Sequence, residues 1–431
     1  MKGDFYQLIT DVSAGTPLNE VFRRFWLPVA LASELAQPDG DQIRIRVLGE
    51  DLIAFRDSQG RLGVLYERCP HRRASLFFGR NEQGGLRCGY HGWKFDVDGK
   101  CLDLPNAPSE YGLRERVRQG AYPARESGGL IWIYMGPREE MPEMPALDWA
   151  DFAPERLWQR RWIVRSNYLQ SLEGELDSSH ITFLHKYSKT DDLPSGLKNN
   201  LGNFAADGAP SLFIQKTDYG LISGSRRDLG GGQYYWRLTQ MLLPSTAIIP
   251  LSEWPVFARA FVPIDSENTM VFFTGYNAER AFTEEEIAML ESGRSSVPTL
   301  VPGTHMPVAS KENDYFLSRD LQREGAFVGV PGINNQDRAM TESMGVIVDR
   351  ERETLSYADR SIVATRQLIG QVAAAMGKGE RHPAMKGGGI FHVRPLDIVT
   401  SIVEMADVIE AYAADLAGTT TSLPKRPSAP M

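Results

Sequence analysis

CPHRRASLFFGRNEQGGLRCGYHGWKFDVDGKC, residues 69–101, carries two short groupings of metal-binding residue types, Cys69-Pro70-His71 and Cys88-Gly89-Tyr90-His91. Sixteen residues, 72 to 87, separate them. Strand-like runs lie around them, DLIAFRD (51–57) and RLGVLYE (61–67) before and GLIWIYMG (129–136) after, so each grouping is expected on a tight loop between strands. Two thiolates and two imidazoles satisfy a four-coordinate zinc ion. They equally satisfy a Rieske-type two-iron, two-sulfur cluster, in which two Cys hold one iron and two His the other. Spacing alone does not choose between these.

The surroundings favour the cluster. Zinc knuckles pair C-x2-C with H-x3-5-H, whereas here each loop offers one thiolate and one imidazole, as an asymmetric cluster needs. Pro70 stiffens the first loop, and Gly89 and Gly92 let backbone amides approach cluster sulfurs. The remaining cysteine, Cys101, has no His neighbour and reads as a small core residue.

Working outward, a small all-β unit is expected over 41–137. Before it, residues 1–40 contain LNEVFRRFWLPV, an amphipathic arm expected to pack on the larger part of the chain. After it comes a linker rich in Pro and acidic residues, and then 138–431, where NYLQSLEGELDSSHITFLH (167–185) has Leu169, Leu172 and Leu176 at helical spacing. Strand-like runs follow between 211 and 277, then two expected helices, SIVATRQLIGQVAAAMG (361–377) and DIVTSIVEMADVIEAYAADLAG (397–418). The fold class is α+β: a small all-β unit plus a larger one with an antiparallel sheet covered by helices.

With 431 residues and 42% hydrophobic content the chain can bury a core without staples, and three cysteines argue against a disulfide framework. A net charge of −8 without a basic run gives nucleic acid or an anionic membrane no electrostatic footing. No apolar stretch reaches membrane-spanning length, and the start lacks a secretory signal, so a cytoplasmic protein is expected.

A cluster only moves electrons, and 167–185 supplies a candidate for the chemistry. Asp177, His180 and His185 place two imidazoles and a carboxylate within nine residues. Non-heme Fe(II) that activates dioxygen is held by two His and one carboxylate, leaving positions open. His185 would lie ~140° around an ideal helix from His180, so a local break is expected there. His305, His382 and His392 have no partner at metal spacing and read as structural.

CPHRRASLFFGR and CGYHGWKFDVDGK strongly resemble the Rieske domains of ring-hydroxylating oxygenases, although Arg73 stands where many relatives have Gly. The resemblance extends to Asn167, Tyr168, Gln170, Glu173 and 177–185. GINNQDRAMTESMG (332–345) and NDYFLSRD (313–320) resemble the homomeric phthalate dioxygenase type. The resemblance implies a [2Fe-2S] cluster on Cys69, His71, Cys88 and His91, and a mononuclear Fe(2+) on His180, His185 and Asp337, with Glu342 the fallback for Asp337. It also implies that Asp177 bridges a cluster His of a neighbouring subunit to an iron-bound His. A reductase carrying flavin, an iron–sulfur centre or both would supply electrons from NAD(P)H, and the assembly would be a head-to-tail homotrimer or stacked hexamer.

The implied reaction uses dioxygen to dihydroxylate an aromatic acid, with monohydroxylation or O-demethylation of a methoxylated aromatic acid as the alternative. A bare Rieske electron carrier and a structural zinc module are the readings from other classes. Aromatic acids need a cation in the pocket. Candidates are Arg226, Arg227 and Arg237 on the strands, Lys198 on a lid, and Ser179 beside the first His, with apolar walls from Phe183, Trp236 and Met241.

Overall fold

The computed structural model describes residues 2–186, 201–251, 253–420 and 422–424. Its first strands are β1 (Trp26–Leu31), β2 (Ile43–Val47), β3 (Glu50–Arg56), β4 (Leu62–Tyr66), β5 (Arg80–Glu82), β6 (Gly85–Arg87), β7 (Lys94–Phe95), β8 (Cys101–Asp103), β9 (Ala121–Tyr122), β10 (Ala124–Ser127) and β11 (Leu130–Tyr134). They pair as β2-β3-β4-β9, β5-β6-β7-β8 and β1-β11-β10. Successive side chains of a strand point to opposite faces. Accordingly Leu52 and Ala54 of β3 and Val64 of β4 join the main core, while Ile53, Phe55 and Leu65 join a second core with Leu76, Leu86, Trp93 and Phe95. Cys101 belongs to that second core, its thiol 3.6 Å from the Asp103 carbonyl. The two ligand-bearing loops run between β4 and β5 and between β6 and β7, rooted in the same core.

The larger part is built on an eight-stranded antiparallel sheet. Its strands are β12 (Leu157–Val164), β13 (Ser211–Lys216), β14 (Gly220–Gly230), β15 (Gln233–Leu242), β16 (Thr246–Ile249), β17 (Val256–Pro263), β18 (Thr269–Tyr276) and β19 (Leu396–Thr400). The order is β12-β18-β17-β16-β15-β14-β13, with β19 also on β15. Helices Tyr168–Leu176, Ile333–Ser343 and Arg360–Gly377 pack around it, giving the expected α+β class.

Helix Tyr168–Leu176 starts at Asn167, whose side chain accepts from the Leu169 amide. Leu169, Leu172 and Leu176 are buried, as their spacing predicts. Glu173, on the same helix, receives Arg350 at 2.9 Å and Arg366 at 2.7 Å, and Glu353 pairs with Arg366 at 2.6 Å. This buried network ties the helix to the Arg360–Gly377 helix.

Residues 397–418 differ from the expected single helix. Their first part is β19, which pairs with Tyr234–Leu238 of β15, and only Met405–Ala411 and Ala413–Leu416 are helical. Here tertiary pairing decides the outcome. β16 covers only Gln240–Leu242 of β15, leaving an open edge for the β-branched Ile398, Val399 and Thr400. Among the described residues no helix is long and apolar enough to cross a membrane.

Candidate metal centres and cavity

The two ligand loops share one hydrogen-bond pattern. Cys69 N–H donates to the Ala74 carbonyl at 2.8 Å and Cys88 N–H to the Trp93 carbonyl at 2.8 Å, each spanning five residues. The Cys69 carbonyl accepts from Arg73 at 2.9 Å and the Cys88 carbonyl from Gly92 at 3.1 Å, each spanning four. Arg73 (φ 64°) and Gly92 (φ 76°) therefore occupy equivalent left-handed positions. That equivalence explains why glycine suits position 73.

His71 lies against His91, with ring centroids 4.5 Å apart, and stacks on Trp93 at 4.4 Å. Its Nδ1 is buried and has no hydrogen-bond partner, as expected of an atom reserved for a metal. Burial pushes the Cys69 thiol up to about 11, with Cys88 adding to the shift, so a cation is needed to draw off its proton.

The second site forms where helix Tyr168–Leu176 stops. Asp177 is the residue after its last turn, and a separate short helix, Ile181–Leu184, follows. This break is the expected one, and it turns His180 and His185 to the same point. Their Nε2 atoms are 3.2 Å apart, and Asp337 Oδ1, from helix Ile333–Ser343, lies 3.1 Å from His185 Nε2 and 3.9 Å from His180 Nε2. Among the described residues this is the one group of three whose ligand atoms lie within 4.8 Å of one another. His185 Nδ1 is 2.8 Å from Gln336 Oε1, and Gln336 Nε2 donates to the Val330 carbonyl. The Gln oxygen is thus an acceptor, Nδ1 of His185 carries the proton, and Nε2 is left to bind metal.

Burial raises the Asp337 carboxyl, but the charge and hydrogen bond of His185 outweigh it and the net shift is downward. Asp177 behaves alike: burial opposes ionisation, yet His180 and Ser179 hold it down to about 2. Asp177 Oδ2 is 3.7 Å from His180 Nδ1, and Oδ1 accepts from the Ser179 amide at 2.8 Å and hydroxyl at 2.6 Å. Among the described residues its partners include neither His71 nor His91.

A cavity opens beside the His180/His185/Asp337 group. Arg237 lines it, 6% exposed, with a buried Nη1 that has no hydrogen-bond partner. Several other expected wall residues lie elsewhere. Ser179 is turned onto Asp177, while its neighbour Ser178 reaches the cavity. Arg226 points to the opposite face of the sheet, where it donates to the Val403 carbonyl at 2.5 Å and lies over Phe213, Tyr234 and Trp236. Arg227 is buried on the Ser178 carbonyl. Lys198 lies outside the described residues. Phe183 is 54% exposed beside Phe327, Trp236 belongs to the core with β19, and Met241 is packed in the main core. Glu342, the fallback ligand, is held by Tyr315 Oη at 2.5 Å and Arg338 at 3.3 Å.

The apolar walls include Trp162, Ile249, Leu251, Phe257, Phe261 and Val271. The sequence reading missed Gln336, although it adjoins Asp337, and it missed Arg259, which alternates with Phe257 and Phe261 and pairs with Glu175 at 2.7 Å.

A family model described as "Rieske [2Fe-2S] domain" matches residues 25–119, and one described as "LigXa C-terminal domain like" matches 133–401. The chain is 38% identical to the 3-chlorobenzoate-3,4-dioxygenase oxygenase subunit of Comamonas testosteroni, over 83% of this chain and 85% of that one. It is 36% identical to the phthalate 4,5-dioxygenase oxygenase subunit of Pseudomonas putida, over 86% of each. Among solved structures it resembles a mutant of NdmA from Pseudomonas putida CBB5 with theobromine, with TM-score 0.58, 19% identity and coverage of 86% and 95%. At that identity the likeness concerns the fold.

Proposed function

Because the chain belongs to the Rieske non-heme iron oxygenases, as an oxygenase subunit of the phthalate dioxygenase type, we propose that Cys69, His71, Cys88 and His91 hold its cluster. In the same proposal His180, His185 and Asp337 hold its mononuclear iron, and the substrate is an aromatic acid. When present, the cluster supplies one-electron transfer and the iron supplies dioxygen activation. The enzyme is an oxidoreductase that incorporates oxygen and works with partner proteins that supply electrons.

The observation that carries the substrate reading is Arg237. Its guanidinium lies on the wall of the candidate iron cavity, in register with Asp397 of β19, and its buried Nη1 makes no hydrogen bond, so a substrate carboxylate could receive that donor. Gln336 fixes the His185 tautomer, and the Asp337 carboxylate is held ionised beside both imidazoles.

Asp177 is proposed as the bridge through which electrons reach His180. Its own chain offers it no cluster His, and His71 and His91 are part-exposed at the surface beside Tyr90, 57% exposed. Both features support a head-to-tail homotrimer, alone or stacked as a hexamer, in which one subunit's cluster serves the next subunit's iron. The partner is proposed to be an NAD(P)H-dependent reductase with flavin, an iron–sulfur centre or both. The divisions at 1–40, 41–137 and 138–431 belong to the same proposal, supported by the separate core under the cluster loops.

The test is incubation with a reductase, NADH and a panel of aromatic acids, methoxylated ones included. A ring diol formed with consumption of dioxygen is the expected product. Phenol plus formaldehyde would assign O-demethylation instead, and no oxygenated product from any acid would contradict the reading.

A further inference from the structure

Resting on the cluster reading, we infer that Trp93 lowers the reduction potential of the cluster by laying its indole face on the His71 imidazole. The two rings are nearly parallel, at 9°, with centroids 4.4 Å apart. Trp93 is 7% exposed and belongs to the core beneath the ligand loops. Its Nε1 donates to Asn106 Oδ1 at 2.7 Å, in the loop after β8. That loop is seated directly on the second ligand loop, where a Cβ at Gly92 would stand 2.7 Å from Pro105 Cγ. The indole is thus held at its backbone, whose carbonyl accepts from Cys88, and at its far edge by Asn106.

The matching hydrogen bonds of the two ligand loops make this contact one-sided. Trp93 holds the position in the second loop that Ala74 holds in the first, each carbonyl accepting from the Cys N–H five residues before it. Ala74 has no ring to offer in return. His91 instead meets Tyr90, at 3.8 Å and 43°, and that ring is 57% exposed. One imidazole is therefore backed by a fixed, buried aromatic face and the other by a solvent-exposed one. An aromatic face is electron-rich and attracts positive charge. An imidazole bound to iron is polarised positively, and more so before the cluster takes up its electron than after, so the indole favours the oxidised form. Its bulk also keeps water from that side. Two ferric ions balance two sulfides and two thiolates, so the reduced cluster carries the extra negative charge that water would stabilise. Both effects lower the potential, and an electron received from the donor protein is the more readily passed on.

The experiment is a redox titration at neutral pH, followed by the rhombic signal of the reduced cluster, on the whole protein with iron and sulfide counted first. Trp93→Leu keeps an apolar side chain without an aromatic face. At full cluster content its midpoint is expected above the parent's, with Trp93→Phe between the two. Asn106→Ala frees the indole edge and is expected to move the midpoint the same way by less. A purely structural Trp93 would cost cluster content or thermal stability without moving the midpoint of the clusters that remain. A cluster-replete Trp93→Leu protein with the parent's midpoint, or a lower one, would overturn the inference. If Trp93→Leu assembles no cluster, Trp93→Phe and Asn106→Ala decide, and parent midpoints in both would overturn it. Zinc without sulfide in the parent would instead overturn the cluster reading beneath it.

Discussion

His185 donates its Nδ1 proton to the side-chain oxygen of Gln336, 2.8 Å away, and so presents Nε2 to the point where His180 and Asp337 converge. Gln336 and Asp337 are adjacent on one helix, which places a proposed ligand and the residue that orients another on a single rigid element.

Replacing Gln336 by Leu frees the His185 ring to rotate and to adopt the other tautomer. Iron affinity at the mononuclear site is expected to fall about 10–100-fold. Metal titration followed by iron analysis checks this, with the cluster's visible spectrum unchanged. Full retention of mononuclear iron would count against the orienting role.

Asp177→Asn removes the charge beside His180 while preserving shape. Both metal contents are expected to be retained and steady-state turnover lost, with reduction of the cluster by its donor protein unaffected. Stopped-flow reduction alongside product analysis separates the two, and normal turnover would rule out Asp177 as the bridge.

Arg73 carries a side chain in the left-handed conformation that Gly92 adopts in the matching loop. Arg73→Gly is expected to stabilise the cluster-bearing unit by about 0.5–1 kcal/mol, after allowing for glycine's greater unfolded-state entropy. Denaturant titration read from cluster absorbance measures it. A clear loss of stability would show that the arginine side chain has a compensating contact.

Glu173 faces two buried guanidiniums, Arg350 and Arg366. Glu173→Gln leaves them with Glu353 alone, and a loss of about 3 kcal/mol is expected. Thermal unfolding of the variant checks it, and an unchanged midpoint would mean that water or rearrangement supplies the missing charge.

Both proposed metal centres are legible in the sequence because their chemistry is local: a tight loop places Cys69 beside His71, and a helix end places His180 near His185. Asp337, far along the chain, came from motif resemblance. The cavity walls were less legible because they depend on strand parity. Arg226 and Arg227 are neighbours on β14 and cannot face the same side, and Arg226 pairs in register with Trp236, whereas Arg237 pairs with Ser225. Once one of these is placed, the others follow. The sequence pattern extends the helix back over 397–400, because their pairing with β15 lies far away in the chain.

The most direct test is iron and acid-labile sulfide per chain in the parent protein and in Asp337→Ala. The parent should contain the two irons and two sulfides of a Rieske cluster plus one further iron, and Asp337→Ala should lose that one iron while keeping the sulfide and the rhombic signal of the reduced cluster. Zinc without sulfide in the parent, or an undiminished iron count in Asp337→Ala, would contradict the account.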